Sequence, residues 1–197
     1  MAAQKRDDSL EKVAAEVRGC PLCKLSRTRK NAVPGEGQLA AKIMFIGEAP
    51  GRSEDEKGRP FVGAAGRILD DLLQKAGIER SQVFITNVVK CRPPNNRVPE
   101  EDEVAACRPY LDRQIALIRP KVICILGRTA YASLLGGSSI TANRGKIVEK
   151  AGQKYFLTYH PAAAIYNKSL LSSLEADLKK LSKEIKKEGK SSLEDYL

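Results

Sequence analysis

The chain has 197 residues and a formal net charge of +10, and 42% of its residues are hydrophobic. A chain of this length can bury a hydrophobic core large enough to be stable without a bound metal. No stretch approaches the ~20 apolar residues that cross a bilayer, and residues 1–18 are charged and lack the apolar core of a signal peptide. These features exclude a membrane protein and favour an intracellular protein with a polyanionic partner such as nucleic acid. The longest basic stretch, Lys179 to Lys190, could equally be the solvated face of a helix.

Short apolar runs rich in β-branched residues predict four strands, and segments with helical spacing lie between them. The predicted strands are 42–47, 82–87, 121–126 and 154–159. The predicted helices are a first helix that includes 14–17, then 63–76, a helix that begins at Pro99, 128–135 and 169–187. Pro109 is expected to bend or end the helix that begins at Pro99. The alternation of strands and helices predicts an α/β fold around a mostly parallel sheet.

Four of the five cysteines are grouped in a way that indicates a metal centre. Cys20 and Cys23 are separated by two residues, and Cys91 and Cys107 follow in the middle of the chain. A reducing compartment disfavours disulfides, and tetrahedral thiolate sites suit zinc or an iron-sulfur cluster. Structural zinc sites more often use two short Cys-x2-Cys pairs, and only the first pair here has that spacing, so the spacing weakly favours an iron-sulfur cluster. The alternative is that these cysteines pack in the core as small hydrophobic residues. Cys124 lies in an apolar run and is expected in a buried strand.

Polar residues or glycines follow each of the four predicted strands. Glu48 and Ala49 come after the first strand, Asn87 ends the second, Gly127 follows the third and His160 follows the fourth. Ligands of open parallel sheets bind beyond the carboxyl ends of the strands, so these groups should converge at one edge. His160 is the only histidine in the chain, and its position at a strand end favours a functional role over a structural one.

Six short motifs occur in order along the chain. They are Cys-Pro-Leu-Cys at 20–23, Gly-Glu-Ala-Pro-Gly at 47–51, Gly-Arg-Pro-Phe-Val-Gly at 58–63, Thr-Asn-Val-Val-Lys-Cys-Arg-Pro-Pro at 86–94, Ala-Cys-Arg-Pro at 106–109 and His-Pro-Ala-Ala at 160–163. In this order they resemble the family 4 uracil-DNA glycosylases, the iron-sulfur branch of the uracil-DNA glycosylase superfamily. The resemblance implies a three-layer α/β/α sandwich with a central four-stranded, mostly parallel sheet. It also implies a 4Fe-4S cluster on Cys20, Cys23, Cys91 and Cys107.

The resemblance implies a reaction of base excision repair, hydrolysis of the bond between uracil and deoxyribose in DNA. The base must be flipped out of the duplex, stacked and read along its Watson-Crick edge. By the resemblance, Phe61 stacks on uracil, Asn87 reads it and His160 donates a hydrogen bond to its O2. Glu48 acts on the attacking water or the sugar, and Ala49 stands where family 1 enzymes carry an aspartate. The predicted uracil site comprises Gly47, Glu48, Ala49, Phe61, Asn87 and His160.

Two groups of residues are expected to contact DNA. Lys90 and Arg92 flank the third cysteine, so the cluster and these basic residues are expected to form one DNA-contacting unit. Ile165 and Tyr166, in the loop after His160, are candidates to fill the gap that a flipped base leaves, and simple packing is their alternative role.

The chain is divided into a single glycosylase domain, 1–187, and a C-terminal tail, 188–197. In the tail, the spacing of Leu193, Tyr196 and Leu197 resembles a degenerate sliding-clamp-binding peptide. Exposed apolar residues on a mobile tail would otherwise have little purpose, and docking onto the body of the protein is the alternative.

Two other functions fit parts of the pattern. A non-catalytic or covalently trapping uracil-DNA binder, as in a related branch, would carry an inserted histidine-containing loop after Cys91, which this chain lacks. A flavodoxin-like protein would use the same sheet edge, but 47–51 is not a dinucleotide fingerprint. We expect a monofunctional, monomeric enzyme that is cytoplasmic and associated with the nucleoid. Its many lysines and glutamates are typical of a thermophilic source.

Overall fold

The computed structural model describes residues 8–194, and the side chains of residues 8–186. The strands are β1 (Glu36–Gly37), β2 (Ile43–Gly47), β3 (Phe84–Asn87), β4 (Val122–Leu126), β5 (Ile147–Lys150) and β6 (Gln153–Thr158). The helices are α1 (Leu10–Gly19), α2 (Arg52–Lys57), α3 (Ala64–Lys75), α4 (Glu101–Ile118), α5 (Arg128–Leu135), α6 (Ile140–Asn143), α7 (Ala163–Tyr166) and α8 (Leu170–Glu194). None of the described helices is long and apolar enough to cross a membrane.

Within residues 8–194, six strands form one sheet in the order β1-β3-β2-β4-β6-β5. The four central strands are parallel, and each outer strand pairs antiparallel with its neighbour. The four parallel strands that the sequence predicts are therefore confirmed at the centre of the sheet, and two edge strands that were not predicted extend it to six. Strand β1 has two residues and β5 is mostly exposed, so neither carries the apolar pattern that identifies a strand in sequence.

Helices cover both faces of the sheet, which confirms the three-layer sandwich. In β2, Met44 and Ile46 pack in a core with α1, α4 and α5. Ile43 and Phe45 point the other way and pack in a second core with α3 and α8. Successive side chains of a strand face opposite sides, so burial on both faces gives the continuous apolar run of β2.

The structure corrects two predictions for α4. The helix begins at Glu101, two residues after Pro99, and the Glu103 carboxylate accepts the Glu100 backbone N–H at 2.8 Å. It also continues through Pro109 to Ile118, so Pro109 does not end it. Pro109 is exposed, and water can reach the backbone carbonyl that the missing N–H leaves unpaired.

Helix α8 runs from the carboxyl edge of the sheet toward the amino ends of its strands. Its buried residues Leu174, Leu178 and Leu181 belong to the core that contains α3. Further along, Ile185 lies beside Ile43 and Val83, where β2 and β3 begin. Lys186 therefore lies at the edge of the sheet opposite the strand-end residues, whereas Lys180 donates to the Gly145 carbonyl near the end of β6.

Candidate active site

A cavity of about 430 Å³ opens at the carboxyl edge of the sheet. Its lining includes five residues of the predicted uracil site, namely Glu48, Ala49, Phe61, Asn87 and His160. Gly47, the sixth, ends β2 and pairs in register with Asn87 at the end of β3. The structure thus brings all six residues together from three strand ends and the loop that follows α2.

Gly47 and Asn87 form the floor of this cavity. A Cβ at Gly47 would lie 2.5 Å from Asn87 Oδ1 and 2.8 Å from Phe61 Cζ, so only glycine fits here. Asn87 is 1% exposed, and its Oδ1 is buried without a hydrogen-bond partner among the described residues. A buried acceptor left without a donor is costly, and it marks the place where a ligand N–H would bind.

Phe61 forms one wall of the cavity and is also a core residue, being 5% exposed. Its backbone has φ of 50°, an unfavourable value for a phenylalanine. Gly66, in the first turns of α3, allows this conformation, because a Cβ there would lie 2.0 Å from the Phe61 carbonyl oxygen. The ring lies 5.5 Å from the His160 ring, tilted by 30°. Phe61 is therefore a core residue that also lines the cavity.

His160 is held as a neutral hydrogen-bond donor. Its Nδ1 accepts the backbone N–H of Ala162 at 3.1 Å, so the ring proton of the neutral form lies on Nε2. Burial lowers the pKa of His160 to about 4, and the charge of Glu54 opposes this shift. Gly127 makes room for the ring, since a Cβ there would lie 2.9 Å from His160 Cβ.

Two carboxylates line the cavity, and they differ in their surroundings. Glu54 Oε1 accepts the backbone N–H groups of Val62 at 2.9 Å and Gly63 at 2.8 Å. Its Oε2 accepts the N–H of Gly51 at 3.1 Å. Glu54 therefore ties the loop after β2 to the loop that carries Phe61, a role that the sequence analysis missed. Glu48 is half-buried, and its carboxylate makes no hydrogen bond or ion pair within the described residues, so it is available to a ligand or water.

The opposite wall of the cavity is the segment Pro93 to Arg97. Asn95 and Asn96 both have φ of 54°, in the left-handed region that asparagine tolerates. The Arg97 guanidinium donates to both carboxylate oxygens of Glu103, at 2.9 and 2.6 Å, which fixes this wall to α4.

The four predicted cluster cysteines come from three elements: the end of α1, the segment after β3, and α4. All are free thiols, and burial raises the pKa of Cys107 to about 11. Cys91 and Cys23 each raise the Cys107 pKa further, so these three thiols act on one another electrostatically. Arg29 Nη1 donates to Cys91 Sγ at 3.0 Å. Within residues 8–186, no three His, Cys, Asp or Glu side chains meet the geometry of a single metal ion.

The other predicted contact residues are placed as follows. Tyr166 is 90% exposed and lines the mouth of the cavity, and Ile165 is 46% exposed beside it. Lys90 is 1% exposed, so its predicted role as a DNA contact is wrong. The side chains of Leu193, Tyr196 and Leu197 lie outside the described residues.

The fold and the cavity define a doubly wound α/β protein with an amide, an imidazole and an aromatic ring lining a cavity at the carboxyl edge of its sheet. The chain belongs to the uracil DNA glycosylase superfamily, whose family model matches residues 34–186. This membership confirms the predicted resemblance.

Three similar proteins are type-4 uracil-DNA glycosylases. The chain is 60% identical over 184 residues to that of Sulfurisphaera tokodaii, an alignment covering 88% of this chain and 84% of the relative. It is 53% identical over 184 residues to that of Saccharolobus solfataricus, with 88% and 85% covered. It is 46% identical over 183 residues to that of Archaeoglobus fulgidus, with 88% and 92% covered.

Proposed function

We propose that this protein is a monofunctional uracil-DNA glycosylase, a hydrolase that releases uracil from DNA and leaves an abasic site. The observation that carries this proposal is the Asn87 amide, whose buried Oδ1 has no hydrogen-bond partner among the described residues and which lines a cavity together with a neutral His160 and the Phe61 ring. The type-4 names of relatives that are 46% to 60% identical support it.

Asn87 selects uracil by hydrogen-bond pattern. Uracil carries an N3–H donor and an O4 acceptor, which complement Oδ1 and Nδ2 of the amide. Cytosine would place its amino group against Nδ2 and its N3 acceptor against Oδ1. The buried Oδ1 would then stay unpaired, at a cost of about 1–3 kcal/mol. The flipped base would stack on Phe61 above the bare backbone of Gly47, where a larger residue would occupy its place.

His160 stabilises the leaving group. As the bond between C1′ and N1 breaks, its electron pair moves onto uracil and negative charge develops at O2. The Nε2–H of neutral His160 donates a hydrogen bond to that oxygen, and the backbone N–H groups of Glu48 and Ala49 add to the same stabilisation.

Glu48 assists the attack of water on C1′. Glu54, the other carboxylate in the cavity, already accepts three backbone N–H groups. Glu48 has no such partners in the described residues, so it can orient the water, accept its proton and stabilise the positive charge of the sugar. Ala49 offers no carboxylate for this purpose.

We further propose that Cys20, Cys23, Cys91 and Cys107 hold a 4Fe-4S cluster. The proposal is supported by the grouping of the four cysteines in sequence and by the electrostatic influence of Cys23 and Cys91 on Cys107. When bound, the cluster supplies a cross-link between α1, the segment after β3 and α4, and it balances the charge of thiolates that burial disfavours.

Tyr166 is the proposed wedge, because an exposed aromatic ring at the cavity mouth can fill the gap left in a duplex by the flipped base. Replacing Tyr166 by alanine should slow uracil excision from double-stranded DNA more than from single-stranded DNA. Equal effects on the two substrates would rule out the wedge.

A sliding clamp is the proposed partner of the tail through Leu193, Tyr196 and Leu197. The proposal is supported by their spacing in sequence alone. Calorimetry with a peptide of residues 188–197 and the clamp of the same organism tests it, and absence of heat at high concentration would end it.

The proposed reaction is tested by incubating the purified protein with an oligonucleotide that carries one uracil and then cleaving abasic sites with alkali. Strand cleavage is expected at uracil, and none at cytosine in an otherwise identical strand. A protein that binds the uracil strand without producing alkali-labile sites would instead be a binding module.

A further inference from the structure

The segment from Asn87 to Cys91 joins the cavity to the cysteines, and Lys90 within it is a fully buried lysine. Its Nζ donates to Thr86 Oγ1 at 2.6 Å, to the Asn87 backbone carbonyl at 2.8 Å and to Gln114 Oε1 at 2.8 Å. Lysine is almost never fully buried, so this arrangement requires a physical reason.

The backbone of Lys90 lies against the cysteines. Its N–H lies 3.4 Å from Cys107 Sγ, and Cys91 is the next residue in the chain. Lys90 therefore contacts the cysteines through its backbone and the Asn87 peptide through its side chain.

The Lys90 side chain also fixes the peptide unit from which the Asn87 amide projects. The carbonyl of this unit accepts from Lys90, and its N–H, on Val88, donates to the Gly47 carbonyl at 2.9 Å. The far side of the network is anchored because Gln114 Nε2 donates to the Pro34 carbonyl at 2.7 Å. Both ends of the peptide unit are thus held, one by β2 and one by Lys90.

We propose that Lys90 is a positioning residue that couples the cysteine cluster to uracil reading. Its side chain holds the Asn87 peptide in place for the amide to meet the base, and its backbone N–H lies against Cys107 Sγ. This inference rests on the proposed function, since it assigns Lys90 a part in the same site.

The test compares Lys90→Met with the wild type in single-turnover uracil excision, with DNA affinity measured separately. Misplacement of a reacting group by a small distance can cost ~10²-fold in rate. We expect Lys90→Met to lower the rate constant ten- to a hundredfold with little change in DNA affinity, which phosphate contacts dominate. Lys42→Met is the matched control, because Lys42 is exposed at the opposite edge of the sheet, and it should behave as the wild type.

A further readout separates positioning from general damage to the fold. In an Asn87→Ala background, Lys90→Met should lower the rate by less than about threefold, because the residue through which it acts is already gone. Should Lys90→Met fail to fold, Thr86→Val removes one of the three acceptors and should show a smaller loss with the same dependence on Asn87.

The outcomes distinguish this inference from the proposed function. A wild type that excises no uracil would overturn the proposed function. If the wild type excises uracil and the loss in Lys90→Met is undiminished in the Asn87→Ala background, the role of Lys90 alone is overturned.

Discussion

Replacing His160 by alanine should remove the hydrogen bond that stabilises the uracil anion. The Nδ1 of His160 is occupied by the Ala162 N–H at 3.1 Å, so Nε2 is the ring atom that can donate into the cavity. Removing one donor of this kind costs about 2.7–4 kcal/mol of transition-state stabilisation. This corresponds to a fall of roughly 10²–10³ in the single-turnover rate constant, while binding to DNA that contains an abasic site should persist.

The pH dependence of the rate distinguishes a neutral from a charged His160. Burial lowers its pKa to about 4 from an ordinary value of 6.5, so the ring is neutral in the folded protein at neutral pH. The wild-type rate should therefore show no break from His160 between about pH 6 and pH 8. His160→Gln, which keeps a neutral N–H donor three bonds from Cβ, should lose less activity than His160→Ala.

Single-turnover excision from an oligonucleotide with one uracil, followed across this pH range, is the assay. Two results would refute the reasoning. One is a loss of less than about fivefold in His160→Ala, well below the effect of losing an oxyanion donor. The other is a wild-type rate that falls as a group of pKa near 6.5 loses its proton, which would require a charged imidazole.

Three further predictions follow from the same geometry. Gly47→Ala should lower excision at least ~10²-fold, since its Cβ would lie 2.5 Å from Asn87 Oδ1; wild-type excision would disprove this floor. Glu54→Ala leaves three backbone N–H groups without their acceptor and should lower the melting temperature and the activity together. Glu56→Ala, which removes an exposed ion pair with Arg52, is the control and should change neither. The pKa of His160 is lower in the folded than in the unfolded protein, so the stabilisation it contributes above pH 6.5 is lost as the pH falls toward 4. The free energy of unfolding should fall by at most about 3 kcal/mol for this reason. An equal fall in His160→Gln, measured by urea unfolding, would contradict this.

The parallel centre of the fold and the position of the cavity follow from local patterns. The apolar run of β2 and its neighbours predicts strands buried on both faces, and their carboxyl ends must share an edge. Gly47, Asn87 and His160 come together for that reason, without any contact being known in advance. The edge strand β5 escaped prediction because exposed residues follow no apolar pattern.

Features that depend on long-range packing could not be read from the sequence. Lys90 looks like a surface cation beside a cysteine, yet its partner Gln114 is 24 positions away and buries it. The interactions of Glu54 with Val62 and Gly63 also span a loop, although its place three residues after Gly51 is a capping signal that could have identified it. The basic end of α8 suggested a DNA contact, but helix direction places it at the opposite edge of the sheet.

The central claim is that this cavity reads and releases uracil from DNA. Chromatographic quantification of free uracil, after incubation of the protein with DNA that carries one uracil, tests it most directly, with Asn87→Ala as the matched variant. The account predicts free uracil from the wild type and a loss of roughly 10²-fold or more in Asn87→Ala, since the base is no longer positioned. Release at wild-type rates by Asn87→Ala, or binding of DNA without any free uracil, would contradict it.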